Sequence, residues 1–131
     1  MNIIFGGAFN PPTIAHLNIM KKLYDTFEVS NLIVLPVGND YQKPYLIDFK
    51  FRFDMLQLLE KKLKHPIVIS DIENQKAFDG TIESLKTLSL TYNNIHYVIG
   101  SDNLESLKKW IKYKELLRSY PFIIMNRNHY L

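Results

Sequence analysis

The sequence predicts a doubly wound α/β fold, one parallel sheet of five strands with helices on both faces. Three observations predict it. Short runs of Ile, Val and Leu alternate along the chain with stretches whose apolar residues recur every three to four positions. The runs are continuous rather than alternating, as in strands covered on both faces by crossover helices. Glycines stand at the exits of the first and fourth runs, where such sheets bind ligands beyond the carboxyl ends of their strands.

The elements follow in order. Residues 2–5 form the first strand. Residues 14–27 read as a helix, with Ile19, Leu23 and Phe27 on one face and Lys21 and Lys22 off it. Residues 31–36 are the second strand, and the Gly, Pro and polar residues of 37–48 make a loop. Residues 49–63 form the second helix, with Phe51, Met55, Leu58 and Leu59 assigned inward. Residues 67–69 are the third strand, and 71–79 are polar and irregular. Residues 81–91 are the third helix, with Ile82, Leu85 and Leu88 inward. Residues 95–99 are the fourth strand, ending at Gly100, and Ser101-Asp102 can cap a short helix running toward Lys109. Residues 113–119 form a last helix before the fifth strand, 122–125, after which the sequence holds no covering helix.

With 131 residues the chain is expected to be one domain, 1–131, able to bury a core. Its 47% hydrophobic and 22% charged residues suit a globular protein. No apolar run approaches the ~20 residues of a membrane helix, and no basic segment followed by an apolar one suggests a secretory signal. The absence of cysteine excludes disulfides and thiolate metal sites and fits a cytoplasmic protein. A net charge of +3 fits an anionic ligand and is too small to argue for nucleic acid. The lysine pairs at 21–22, 61–62 and 108–109 lie on separate helical patterns and read as solvated faces.

The stretch FGGAFNPPTIAH, residues 5–16, carries most of the functional signal. Glycines let a ligand approach the main chain, and the following helix directs its N-terminal amides to the same place, favouring a phosphate. Pro11-Pro12 keeps the helix from starting earlier. Thr13 stands at the N-cap or in the first turn, and His16, three residues on, shares its face. The spacing is not the G-x-G-x-x-G fingerprint. A glycine turn, a threonine cap and a first-turn histidine also occur together with no function.

The same stretch resembles the T/H-x-G-H signature of the nucleotidyltransferase superfamily. It looks most like the nicotinate mononucleotide adenylyltransferase family, with its G-G-x-F-(D/N)-P-x-H-x-(G/A)-H. Gly6, Gly7, Phe9, Asn10, Pro11 and His16 match. Thr13 stands where that family has its first histidine, as in the pantetheine-phosphate adenylyltransferase branch, and Ala15 replaces the usual glycine. Lys43 matches a lysine of the family's substrate loop, and Arg52 with Met55-Leu56 its R-x-x-M-L helix. Gly80-Thr81-Ile82-Glu83-Ser84 resembles Y-T-x-D-T without the tyrosine. Tyr97-Val98-Ile99-Gly100-Ser101-Asp102 with Lys109-Trp110 resembles I-G-x-D…K-W, with Ile111 where a tyrosine is usual.

The resemblance implies a Rossmann-like nucleotidyltransferase fold that transfers the adenylyl group of ATP to nicotinate mononucleotide in NAD biosynthesis. It implies catalytic roles for His16 and Thr13. Nucleotide binding would fall to Gly6, Gly7, Ala8, Phe9, Asn10, Gly100 and Asp102, and acceptor binding to Lys43, Arg52, Thr81 and Trp110. Mg²⁺ would arrive on the ATP phosphates, with no protein metal ligands. Partners are expected to be the two substrates, with no nucleic acid or membrane, and self-association through the uncovered fifth strand is an option. The family's S-(S/T)-x-x-(I/L)-R motif, which grips the ATP phosphates, does not occur, so the expected domain is C-terminally truncated and lacks the helical part of the fold. The alternatives are another acceptor, such as pantetheine phosphate, and a nucleotide-binding module without catalysis.

Overall fold

The strands β1 (Asn2–Gly7), β2 (Asn31–Pro36), β3 (Val68–Ile69), β4 (Ile95–Gly100) and β5 (Phe122–Met125) form one sheet in the order β3-β2-β1-β4-β5. Every neighbouring pair is parallel. This computed structural model describes residues 1–126. The family's C-terminal motif, which the sequence lacks, and residues 127–131 lie outside what it describes. The chain winds outward from β1 through β2 to β3, then returns to the other side of β1 for β4 and β5. Strand order therefore reverses between β1 and β4, which opens a crevice at their carboxyl ends.

Alternation along the central strands divides the core. Ile3, Phe5, Leu32 and Val34 face the layer of α1 (Ile14–Thr26) and α2 (Phe49–Leu63), where they meet Leu17, Met20, Leu23, Leu56 and Leu59. Ile4, Ile33, Leu35, Tyr97 and Ile99 face α3 (Thr81–Leu88) and α4 (Tyr113–Ser119), against Ile82, Leu85 and Leu116. Both faces are apolar because both are covered, which is why the strand sequences read as unbroken hydrophobic runs.

Several expectations are corrected. β1 does not end at Phe5 but continues through Gly6 and Gly7, which pair with Leu35 and Pro36. The pairing with β4 ends at Phe5, so at the two glycines it is the β2 ladder alone that continues the strand, despite glycine's local cost. On α2, Leu59 is buried as expected, but the buried face also takes Phe49, Arg52, Leu56 and Leu63, whereas Phe51 and Leu58, expected inward, are 59% and 58% exposed. Its sequence holds two stripes of helical spacing, and the one that is buried contains an arginine. α3 stops at Leu88, after which the chain tightens into turns, with Leu90 N–H donating to Thr87 O. The segment after β4 is two short 3-10 turns, Ser101–Asn103 and Ser106–Lys109, and another 3-10 turn, Ile72–Asn74, lies in the stretch read as irregular.

Candidate active site

Two clefts open at the carboxyl ends of β1 and β4 and share a floor, Gly6-Gly7-Ala8, with Lys43 and Asn103 at their boundary. One, of about 320 Å³, is bordered by Phe9, Asn10 and His16 on the α1 side and by Gly100 and Asp102 on the β4 side. The other, of about 500 Å³, has Thr81, Trp110 and Lys109 among its walls.

Local chemistry at the start of α1 sets the histidine. Thr13 is extended, as an N-cap should be. Its backbone N–H donates to His16 Nδ1 at 2.9 Å, and its hydroxyl lies 3.1 Å from the same nitrogen. A ring nitrogen that accepts an N–H keeps its lone pair, so the imidazole proton resides on Nε2. Adding a proton at Nδ1 would sacrifice the cap, so the neutral Nε2–H tautomer is the donor this geometry supports. Thr13 thereby positions His16.

Phe9 and Asn10, expected at the nucleotide, border the smaller cleft and also brace its walls. Phe9 is buried in the left-handed region at φ 48°, an unusual place for a bulky residue. Its ring lies 4.8 Å from the His16 ring and 5.2 Å from Phe5, so it props the imidazole from below. Asn10 Oδ1 accepts the Ile47 N–H at 2.7 Å, and its amide donates to Tyr45 O at 3.1 Å. Its side chain ties the β1–α1 turn to the 37–48 loop.

Arg52, expected at the acceptor, is fully buried and lines neither cleft. Its guanidinium donates to Ile47 O at 2.7 Å, to Ala8 O at 3.0 Å and to Val37 O at 2.7 Å, with Asn39 Oδ1 at 3.4 Å. Burial pushes its pKa below the ordinary guanidinium value, and nearby Asp48 pulls it back. The residue pins together three segments beneath the cleft.

In the larger cleft, Trp110 is half-buried and stands edge-on to Tyr97, with centroids 6.3 Å apart, offering an aromatic wall. Lys43 and Lys109 are exposed cations on the same cleft. Thr81 begins α3 directly after Gly80, whose φ of 109° disfavours any L side chain and whose absent Cβ would lie 3.1 Å from Ile111.

Sequence reasoning missed Glu73 and Tyr97, both of which line this cleft. Tyr97 opens the segment that resembles I-G-x-D…K-W but carries no site role there, and Glu73 sits in a polar stretch with no signal that it would be buried. Burial pushes the Glu73 carboxyl up to about 7; the Ser84 hydrogen bond works against this and Asp79 with it. Burial, followed by Glu73, pushes the Tyr97 phenol well above its usual range. The Tyr97 hydroxyl lies against Gly6, where an added Cβ would fall 2.1 Å from it. Gly6→Ala is therefore expected to cost about 1–3 kcal/mol by overpacking, read as a lowered melting temperature. An unchanged melting temperature would mean Tyr97 moves freely.

The cytidylyltransferase-like family model matches residues 4–131. A protein of Acholeplasma laidlawii named "Probable nicotinate-nucleotide adenylyltransferase" is 41% identical over 131 residues, covering 99% of this chain and 69% of its own length. A protein of the same name from Aliarcobacter butzleri is 34% identical, covering 97% of this chain and 71% of its own length. Among solved structures, the Plasmodium falciparum nicotinic acid mononucleotide adenylyltransferase complexed with NaAD superposes with a TM-score of 0.83 at 26% identity. That match covers 98% of this chain and 65% of the malarial one.

Proposed function

The chain belongs to the cytidylyltransferase-like family, in the company of nicotinate-nucleotide adenylyltransferases, and from that premise we propose that it joins ATP and nicotinate mononucleotide into deamido-NAD and pyrophosphate. The observation that carries the reading is the pair of clefts meeting over Gly6-Gly7-Ala8, one edged by His16 and the other by Trp110 and two lysines. Two anionic substrates entering from the two sides would bring their reacting phosphates together on that floor.

The reaction needs no protein nucleophile. A phosphate oxygen of the mononucleotide attacks the α-phosphorus of ATP, the bond to the bridging oxygen breaks, and pyrophosphate leaves with the electron pair. The protein's part is alignment and charge stabilisation. Amides of the β1–α1 turn and the N-terminus of the 13-residue α1 favour phosphate. His16 donates from Nε2 to the α-phosphate, held by Thr13 and Phe9. Lys43, common to both clefts, offers its ammonium near the reacting phosphates. Asp102 suits a ribose hydroxyl, and Thr81 and Trp110 suit the pyridine ring. Among the described residues no group of three or more His, Asp or Glu could hold a metal ion. Mg²⁺ would come with the triphosphate, ligated by phosphates and water, supplying charge neutralisation. The reading places the protein in the cytoplasm as a single domain; among the described residues no helix is long and apolar enough to cross a membrane.

Pyrophosphate release tests this. With ATP and Mg²⁺ the protein is expected to release pyrophosphate on addition of nicotinate mononucleotide and not of pantetheine phosphate. Release with pantetheine phosphate alone would assign the other acceptor, to which Thr13 points. ATP binding with no release in either case would leave a binding module.

A further inference from the structure

Glu73 lies on the wall between the 500 Å³ cleft and a neighbouring cavity of about 310 Å³, and it lines both. It is 7% exposed. One carboxyl oxygen accepts the Ser84 hydroxyl at 2.7 Å. Among the described residues it takes part in no salt bridge. A buried carboxyl with a single neutral donor and no paired cation holds its proton, because the charged form has lost water and gained nothing equivalent.

Its surroundings reinforce this. From the loop before α3, Asp79 adds negative charge, partly offset by Lys76 at 3.1 Å. From β4 the Tyr97 phenol, itself held protonated, contributes no charge. From α3 comes the Ser84 hydroxyl, and from the 37–48 loop come Tyr41 and the exposed Lys43. Lys109 lines the same cleft.

We propose that Glu73 is a specificity-determining residue of the acceptor cleft: protonated, it admits a pyridine ring bearing a carboxylate, and ionised, it favours a ring bearing a carboxamide. The inference rests on reading this cleft as the acceptor site. A neutral carboxylic acid adds no charge to the wall and can donate a hydrogen bond to the ring carboxylate. An ionised one repels that carboxylate and accepts the N–H of an amide instead. With the carboxyl at about 7, the change of state falls within the working range of an enzyme. Selectivity for the acid is therefore present below that pH and lost as pH rises through it.

The test is the ratio of kcat/KM for nicotinate mononucleotide to that for nicotinamide mononucleotide, measured at about pH 6 and about pH 8.5. Both acceptors carry the same phosphate, so its titration cancels in the ratio. The wild-type ratio is expected to fall about 10-fold or more across this interval, the span over which a group titrating near neutrality loses most of its proton. Glu73→Gln, which is isosteric and keeps a carbonyl for Ser84, should hold the low-pH ratio at both values. Ser84→Ala, which removes a bond favouring the ionised form, should move the wild-type transition to higher pH. A wild-type ratio that stays flat, or one that falls equally in Glu73→Gln, overturns the inference while leaving the adenylyl-transfer reading standing. Turnover with neither acceptor at either pH overturns the acceptor reading and this inference with it.

Discussion

Replacing His16 by alanine is expected to lower the rate of pyrophosphate release by ~10²-fold or more, the scale on which loss of one preorganised donor to a developing oxyanion is felt. The expectation follows from the tautomer. Because Thr13 N–H occupies Nδ1, the ring presents its Nε2 proton as a neutral donor, propped by Phe9 at 4.8 Å. The same substitution removes a helix cap, worth typically ~1 kcal/mol, so some loss of melting temperature accompanies it. The two effects separate cleanly. Thr13→Ala retains the backbone N–H that binds Nδ1 and should lose far less activity than His16→Ala. If His16→Ala lowers only the melting temperature and leaves kcat intact, the histidine is a cap and no more.

Arg52→Met should destabilise the protein by about 3–5 kcal/mol, the range seen when a buried charged group is removed from partners that stay buried. Ala8 O, Val37 O and Ile47 O would all lose a charge-assisted donor at once. Small domains hold ~5–15 kcal/mol in total, so a large share of the folded state's margin would go. Denaturant unfolding measures it. Arg52→Lys is expected to be nearly as damaging, since one ammonium cannot reach carbonyls arrayed around a planar fork. The alternative role makes the opposite prediction. An arginine that held the acceptor would, as lysine, raise the acceptor KM and leave stability almost unchanged.

That contrast shows where sequence reading reached its limit. Arg52 and Lys43 looked alike as cations within reach of a substrate loop, yet one lies exposed on both clefts and the other is fully buried below them. Helical spacing could not choose between the Phe51/Met55/Leu58 stripe and the Phe49/Arg52/Leu56 stripe of α2. The choice depended on three carbonyls contributed by the β1–α1 turn, the exit of β2 and the start of α2, and an arginine was worth burying only where they converge. Glu73 was invisible for a related reason. Its neighbours Asn74, Gln75 and Lys76 are exposed and polar, so nothing in the local pattern separates the one carboxyl that turns inward.

By itself the sequence determined the architecture and which residues gather at the carboxyl edge of the sheet. Five unbroken apolar strands alternating with amphipathic helices bury both faces as a doubly wound parallel sheet, and such a sheet brings the strand exits at Gly6-Gly7 and Gly100-Asp102, with His16 in the helix turn that follows the first, to one edge. These are properties of local period and chain order, and a linear reading can see them. Tertiary structure alone decided which polar groups face the cleft and which hold it together. Asn10 and Arg52 became struts, Phe9 a prop, and Glu73 a buried acid beside the Tyr97 phenol. The role of a polar side chain depends on what remains unpaired around it after folding, and those partners come from segments distant in the chain.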